Sequence, residues 1–172
     1  MQKSYQLGVI GYGNIAHAIL KGAANAKLLS ADQVLLYDPD ESKTITSEYA
    51  AAAQIMELPE KCRFLLLSVK PQVYPEVLTK VQFDDNVLIS IMAGISKARL
   101  CKETGCKVAR IMPNTPAMIG EGMAAIDADG LSEDETTFVK ALFQSVGRVL
   151  PMSDAEMELV TAVSGRGPAY VY

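Results

Sequence analysis

The residues best suited to chemistry are two glycines near the start of the chain. Gly11 and Gly13 follow a short apolar run, Leu7 to Ile10, which predicts a buried strand. From Asn14 the apolar spacing becomes helical, and the small residue Ala16 stands at the third position of the glycine pattern. Gly11 permits a tight turn, Gly13 lets a phosphate approach the backbone, and Ala16 lets the helix pack closely on the strand. The pattern predicts a dinucleotide-binding turn, with the pyrophosphate on free amides at the helix N-terminus.

Beyond this turn, the chain alternates between apolar runs that predict strands and segments that predict helices. Strands are expected at 33–37, 64–69, 86–91, 107–112, 122–127 and 148–152. Helices are expected at about 40–54, near Pro75, after a Ser96 cap, and from a Ser132 capping box to about 145. Continuously apolar strands are typical of a parallel sheet buried on both faces. We therefore predict an α/β protein with a Rossmann-type doubly wound, mostly parallel sheet and helices on both faces.

Five loops of turn-forming residues are predicted at the carboxyl edge of this sheet, where doubly wound folds bind ligands. They are Gly11-Tyr12-Gly13, Asp38-Pro39-Asp40, Lys70-Pro71-Gln72, Ala93-Gly94 and Pro113-Asn114-Thr115. Any single loop also has a purely structural explanation, because these residue types are common in turns. Five such loops at one edge favour a cofactor-binding cleft.

Asp38, at the end of the second predicted strand, has two interpretations. It lies about 20 residues beyond the glycine turn, where an acidic residue accepts hydrogen bonds from the adenosine ribose. It also precedes Pro39, in the arrangement of a helix N-cap with proline at the first helical position. Asp40 and Glu41 would repel a 2′-phosphate, and Lys43 is the nearby counter-charge. The loop therefore favours NADH over NADPH.

The remaining candidates for chemistry are a lysine, a histidine and three cysteines. Lys70 ends an apolar strand at the mouth of the predicted cleft, where it either binds an anion of the cofactor or substrate or is simply solvated. His17 has no evident acid or base partner and is expected to be an ordinary surface or packing residue. Cys62, Cys101 and Cys106 form no metal-binding pattern, so we expect reduced thiols and no metal site.

The composition bounds the class of protein. A chain of 172 residues that is 49% hydrophobic can bury a sizeable core. Its net charge of −4 and isoelectric point near 5.0 give no reason to expect nucleic-acid binding or an anionic membrane partner. No apolar run approaches the roughly 20 residues of a membrane span. The N-terminus runs directly into the first strand without a signal peptide, so we expect a cytoplasmic protein.

Four further motifs, together with the glycine turn, resemble those of one enzyme family. They are Ser68-Val69-Lys70-Pro71-Gln72, Ser90-Ile91-Met92-Ala93-Gly94-Ile95, Arg110-Ile111-Met112-Pro113-Asn114-Thr115-Pro116 and Ser164-Gly165-Arg166-Gly167-Pro168-Ala169-Tyr170. Their order and spacing resemble pyrroline-5-carboxylate reductase over essentially the whole chain. The resemblance implies an oxidoreductase of proline biosynthesis, which passes hydride from NADPH or NADH to the C=N carbon of 1-pyrroline-5-carboxylate.

The resemblance also implies roles for individual residues. The cofactor-binding set that it implies is Gly11, Tyr12, Gly13, Asn14, Ile15, Asp38, Ser68, Val69, Lys70, Pro71, Ala93, Gly94 and Asn114. The glycine turn would bind the pyrophosphate and Asp38 the adenosine ribose, with Ala93, Gly94 and Asn114 nearer the nicotinamide. Backbone amides at Ser164, Gly165 and Gly167 would hold the substrate carboxylate at the start of a long helix. No catalytic residue is assigned, because a protonated imine is already electrophilic and positioning is the main task.

Two departures from the family pattern affect these expectations. Arg166 stands where the family usually has serine, and we expect it to impair the carboxylate loop. By the family pattern, we assign 1–160 to an NAD(P)-binding domain and 161–172 to the start of the family's helical domain. The second departure is that the sequence stops at Tyr172, where that helical domain is expected to begin. In the family that second domain forms the homo-oligomer and completes the substrate site, so this chain alone is expected to be a poor reductase. The alternatives are a related imine or β-hydroxyacid reductase and a non-catalytic nucleotide-binding module.

Overall fold

The computed structural model describes residues 2–113 and 122–164, which form an eight-stranded sheet with helices on both faces. The strands are β1 (Tyr5–Ile10), β2 (Val34–Tyr37), β3 (Ala50–Ala51), β4 (Cys62–Leu67), β5 (Val87–Ser90), β6 (Lys107–Pro113), β7 (Gly122–Asp127) and β8 (Gly147–Pro151). The α-helices are α1 (Asn14–Asn25), α2 (Ser42–Ile45), α3 (Glu57–Lys61), α4 (Tyr74–Lys80), α5 (Lys97–Thr104), α6 (Glu133–Gln144) and α7 (Asp154–Ser164), and a 3-10 turn at Ala31–Gln33 precedes β2. Within the described residues, no helix is long and apolar enough to cross a membrane.

The sheet has the strand order β3-β2-β1-β4-β5-β6-β7-β8. Neighbouring strands run parallel except β6 and β7, which pair antiparallel. After β1 the chain adds β2 on one side and then returns to place β4 on the other. β1 and β4 therefore flank the topological switch point, where doubly wound sheets bind ligands. The predicted fold class is confirmed, and every predicted strand is present.

Alternate residues of the central strands enter two separate cores. In β1, Leu7 and Val9 pack in the core that contains α1 and α6, whereas Ile10 packs in the core that contains α3, α4 and α5. This double burial explains why the central strands are apolar at nearly every position. α1 buries Ala16 and Ala23 against the sheet, as its predicted apolar face requires. Side chains this small bring the helix backbone, and hence its N-terminus, close to the strand ends.

The helix predicted at about 40–54 is wrong, because this segment contains α2, the edge strand β3 and the approach to α3. Asp40 Oδ1 accepts hydrogen bonds from both the amide (3.1 Å) and the hydroxyl (2.5 Å) of Ser42. Ser47 donates to the carbonyl of Thr44 (2.8 Å). Short polar side chains that bond to nearby backbone compete with helix formation. The following pair, Ala50–Ala51, instead gains hydrogen bonds as a strand beside β2.

The last described element, α7, was not predicted from the sequence. Ser153 Oγ accepts a hydrogen bond from the amide of Glu156 (3.2 Å), and Glu156 Oε2 accepts one from the amide of Ser153 (2.8 Å). This reciprocal capping box has the Ser-x-x-Glu spacing that marks a helix start, so the signal was present in the sequence. The helix continues to Ser164, across the domain boundary proposed at residue 160, and that boundary stays a prediction.

Candidate functional site

The glycine turn ties together the ends of three neighbouring strands. The amide of Gly11 donates to the carbonyl of Tyr37 at the end of β2 (2.9 Å), and the amide of Ser68, just after β4, donates to the carbonyl of Ile10 (2.9 Å). Gly11 has a φ of +92°, and a Cβ there would lie 2.5 Å from the carbonyl oxygen of Ser68. Because only glycine tolerates both the dihedral angle and the close backbone contact, the fold itself requires Gly11.

Gly13 is open where Gly11 is crowded. A Cβ on Gly13 would meet no atom within 4 Å, and its backbone is extended, with φ −89° and ψ −170°. α1 begins immediately after it, with no side-chain cap and no acidic residue in its first turn. The free amides and the dipole at such a helix end attract anions. Packing among the described residues does not require glycine at position 13, whereas close approach of a phosphate would.

A cavity of about 720 Å³ opens in front of this turn. Residues from the ends of β1, β2, β4 and β5 line it, which places it at the carboxyl edge of the sheet. The predicted cofactor-binding residues in its wall are Gly11, Gly13, Asn14, Ile15, Asp38, Ser68, Val69 and Lys70. Its volume is typical of sites for small molecules and cofactors. A second cavity of about 490 Å³, around Lys3 and Arg63, lies at the opposite strand ends and has no glycine turn beside it.

Asp38 connects the cavity wall to the glycine turn. Its nearly buried carboxylate accepts hydrogen bonds from the amides of Tyr12 (2.8 Å, to Oδ2) and Asp40 (2.9 Å, to Oδ1). Lys43 Nζ lies 3.6 Å from Oδ2. The interpretation of Asp38 as a helix N-cap is wrong, because the residue at the N-cap of α2 is Glu41 and Asp38 bonds the glycine turn instead. A carboxylate oxygen accepts more than one hydrogen bond, so Asp38 retains capacity for ribose hydroxyls.

One wall of the cavity is a face of α4 that was not assigned to the site from the sequence. Val73, Glu76, Val77 and Lys80 line the cavity. Their spacing is that of a single helical face, three and four residues apart. The sequence contained this signal, because the face directly follows the predicted binding loop at Lys70. The cavity is thus bounded by a helix as well as by loops.

Lys70 is the cation best placed to meet an anion in the cavity. The other two lysines in the wall are engaged, since Lys43 pairs with Asp38 and Lys80 pairs with Glu76. Lys70 is exposed and has no ion-pair partner among the residues that the structure describes. Together with the uncapped end of α1, it offers an anion in the cavity two positively charged or polarised partners.

Tyr12 turns away from the cavity although it stands inside the glycine turn. Its hydroxyl shares a hydrogen bond with Nδ1 of His17 (2.9 Å), and its ring packs edge-on against Tyr49 at 6.4 Å between centroids. His17 therefore has a hydrogen-bond partner that was not predicted from the sequence, and its expected role as an ordinary surface or packing residue stays a prediction. Burial, with a smaller effect of Glu48, raises the pKa of Tyr12 and raises that of Tyr49 to about 12. Both phenols remain neutral and support the turn from outside.

Several predicted site residues are not brought into the cavity wall. Tyr12, Pro71, Ala93 and Gly94 belong to loops at the same edge but do not line the cavity, whereas Ile91 does. Asn114, Gly165, Arg166 and Gly167, and the side chain of Ser164, lie outside the described residues. The roles proposed for residues 114 and 165–167 stay predictions. Within 2–113 and 122–164, no three His, Cys, Asp or Glu side chains are grouped so that they could hold a metal ion.

Comparison with known proteins identifies the family. Residues 6–94, which include the glycine turn and the strands β1 to β5, match the family model described as NADP oxidoreductase coenzyme F420-dependent. The chain belongs to this family. The matched segment contains each of the loops that line the cavity.

Similarity to named relatives extends over nearly the whole chain. The pyrroline-5-carboxylate reductase of Haemophilus influenzae is 40% identical over 96% of this chain, and that of Synechocystis is 38% identical over 98%. The chain spans 65% and 66% of the lengths of these relatives. The resemblance predicted from the sequence motifs is thereby confirmed.

Solved structures give the same result. A Plasmodium falciparum pyrroline carboxylate reductase with NADP bound is 28% identical, with a TM-score of 0.83, over 100% of this chain and 66% of its own. The enzyme from Streptococcus pyogenes is 29% identical, with a TM-score of 0.79, over 97% of this chain and 65% of its own. A reductive aminase from Aspergillus terreus, 14% identical with a TM-score of 0.73, shares the fold.

Proposed function

We propose that this chain forms the cofactor-binding part of an NAD(P)H-dependent reductase that converts 1-pyrroline-5-carboxylate to L-proline. The observation that carries the proposal is the cavity at the β1/β4 switch point, which faces an uncapped helix and an open Gly13. The names of the relatives supply the substrate. We further propose a cytoplasmic homo-oligomer, with a small molecule as its substrate.

The residues of the cavity fit a nicotinamide dinucleotide. The pyrophosphate would bind the free amides after Gly13, where a Cβ has open space around it. Lys70 would supply the counter-charge, and Asp38 would accept hydrogen bonds from the adenosine ribose. Ile91 and the loop that follows β5 would lie towards the nicotinamide. Lys70 and the amides after Gly13 are groups that the described protein leaves open or unpaired, whereas Asp38 would keep its bonds to the amides of Tyr12 and Asp40.

The protein's contribution to the reaction is chiefly binding and orientation. A reduced nicotinamide bound in this cavity would supply the hydride for reduction of the C=N bond of the substrate. The α1 amides and Lys70 hold the anionic part of the cofactor, which removes its freedom to reorient. The carboxylate of the substrate would be held by the backbone amides at Gly165 and Gly167. Ser164 belongs to α7, which begins at Asp154, so its amide is not at a helix N-terminus and the expectation that it opens a helix is wrong. No general acid is required of the described residues, since a protonated imine is already an electrophile.

Cofactor choice is proposed to follow the charge around Asp38. A 2′-phosphate placed beside the Asp38 carboxylate would meet a negative charge that is nearly buried. Lys43 offsets part of that repulsion from 3.6 Å, but its side chain is 47% exposed and hence screened by solvent. The balance favours NADH over NADPH.

The test combines binding with turnover. Fluorescence titration should show that the 172-residue chain binds NADH or NADPH. Steady-state assays with 1-pyrroline-5-carboxylate should show substantial turnover once the chain is extended with the remaining third of a relative and carries Arg166→Ser, and little turnover without the extension. Absence of binding by both nucleotides at millimolar concentration would refute the cofactor assignment. Binding without turnover in the extended protein would favour a non-catalytic nucleotide-binding module, and turnover confined to other imines or β-hydroxyacids would favour a related reductase.

A further inference from the structure

An ion cluster with a buried centre joins α7 to the sheet at residues that do not line the cofactor cavity. Its centre is Arg110 on β6, whose side chain is only 3% exposed. One guanidinium nitrogen, Nη1, donates to Asp154 Oδ1 and to Glu158 Oε1, each at 2.6 Å. Both acids lie in the first turns of α7, on the side of the helix that meets the strand. A single buried cation therefore contacts α7 at two successive turns.

Two further elements hold the start of the same helix. Asp127, at the end of β7, accepts a hydrogen bond from the amide of Asp154 (2.8 Å, to Oδ2) and another from Lys97 Nζ (2.7 Å, to Oδ1). The amide of Lys97, the first residue of α5, donates to Asp154 Oδ2 (3.1 Å). Asp154 is thus bonded from β6, β7 and α5 together. This arrangement specifies both the position and the direction of the helix start.

The described side chains of α7 contribute little apolar packing to its orientation. Among its described side chains, 154–160 and 162, Met157 is the one that is buried. Leu159 and Val160 are 67% and 40% exposed. By contrast, α6 buries Val139 and two further apolar residues of the same core. With one buried apolar residue among the described side chains, α7 depends on its polar contacts to hold one orientation.

We propose that Arg110 is a positioning residue that holds α7 on the cofactor domain through Asp154 and Glu158. This inference rests on the proposed function for its consequence, because α7 leads directly into the segment predicted to bind the substrate carboxylate. Arg110 itself lies on β6, and this strand ends just before Asn114. Arg110 thereby links the segment predicted to bind the substrate to the one predicted to lie near the nicotinamide.

The physical chemistry makes this link strong. A buried guanidinium must be paired, because an uncompensated charge in the interior is costly. Movement of α7 away from the sheet would leave the buried Arg110 guanidinium without its two carboxylate partners. Hydrogen bonds between charged groups are stronger than neutral ones. We therefore expect loss of the Arg110 charge to raise the equilibrium constant for opening of α7 by about tenfold or more. This factor corresponds to the free energy of one charge-assisted hydrogen bond.

The experiment measures amide hydrogen exchange along the chain in three variants and one control variant. Arg110→Gln should accelerate exchange in α7 by about tenfold relative to the parent, with α1 and α4 unchanged, and Arg110→Lys should restore part of the protection. Glu158→Gln, at a half-exposed position that cannot disrupt the core, should give a smaller acceleration confined to α7. The matched control is Lys107→Gln, which removes an ion pair of the same strand to Glu135 on α6 and should leave α7 unchanged.

Ligand measurements separate positioning from general stability and from the proposed function. In the extended reductase, Arg110→Lys and Glu158→Gln should raise the KM for 1-pyrroline-5-carboxylate several-fold, while the dissociation constant for NADH stays at the parental value. Unchanged α7 exchange in both Arg110→Gln and Glu158→Gln would overturn the inference, and so would equal acceleration in every helix. If the parent binds no nucleotide and turns over no substrate, the proposed function fails, and the exchange pattern alone still decides whether Arg110 holds α7.

Discussion

Substituting each glycine of the first turn separates its structural role from its proposed ligand role. Gly11→Ala places a methyl group 2.5 Å from the Ser68 carbonyl oxygen at a φ of +92°. The dihedral strain alone costs roughly 1–2 kcal/mol, and the clash raises the total to at least about 2 kcal/mol. For a chain of this size, that predicts a Tm lower by about 4–8 °C. Thermal unfolding followed by circular dichroism measures this directly.

Gly13→Val is expected to weaken nucleotide binding while leaving the stability of the fold nearly unchanged. Its Cβ meets nothing within 4 Å and its φ of −89° suits any residue, so the cost to stability should stay below about 1 kcal/mol. The branched side chain would block the approach of a pyrophosphate to the α1 amides. Losing two charge-assisted hydrogen bonds of about 1.5 kcal/mol each corresponds to roughly 100-fold weaker binding.

The assay for this pair is nucleotide titration beside thermal unfolding for each variant. The expected pattern is a folded Gly13→Val protein that has lost nucleotide affinity and a destabilised Gly11→Ala protein. Gly13→Ala serves as the smaller step between parent and Gly13→Val, and should bind with intermediate affinity. Tight binding by a folded Gly13→Val protein would refute the placement of the pyrophosphate at this turn.

Three further predictions concern single side chains. Asp38→Ser should narrow a preference for NADH over NADPH by about tenfold, measured as the ratio of the two dissociation constants; a parent that prefers NADPH would contradict the argument from charge. Cys62 is fully buried and burial raises its pKa to about 12, so a thiol reagent at pH 8 should label the partly buried Cys101 first and leave Cys62 untouched until the protein unfolds. Burial alone would raise the pKa of Asp127, but the bonds from Lys97 and from two backbone amides lower it below the usual value. Its stabilising effect is therefore complete above about pH 4 and is lost as the pH falls through the lowered pKa. Asp127→Asn should therefore flatten the drop in unfolding free energy, measured by urea denaturation, as the pH is lowered below about 4.

The central sheet and the glycine turn could be predicted from the sequence because their signals are local. A strand buried on both faces must be apolar at successive positions, as Phe64 to Leu67 are. The turn needs glycine at position 11 because of its positive φ and its close contact with the Ser68 carbonyl, and both involve only the ends of adjacent strands. The capping box at Ser132 likewise depends on residues three apart. Each of these features is specified within a few residues, so the order of the elements and the fold class follow from the sequence.

The second strand–helix unit shows where local reasoning fails. The segment 40–54 is rich in residues that tolerate a helix, yet Ala50–Ala51 joins the sheet edge beside β2. That outcome depends on pairing with β2, which the helix propensity of alanine does not reflect. Tertiary hydrogen bonding outweighed a preference of a few tenths of a kcal/mol per residue.

The tertiary structure alone decided how side chains from distant segments meet. The sequence placed Asp38 near a ribose or at a helix end, but only the folded chain shows its carboxylate bonded to the amide of Tyr12. It also shows the α4 face as a cavity wall, and it brings Arg110 to Asp154, which is 44 residues further along the chain. Such contacts depend on which way each element is rotated and on how closely its neighbours pack. Those variables are set by burial and charge pairing over the whole fold, so no local pattern in the sequence determines them.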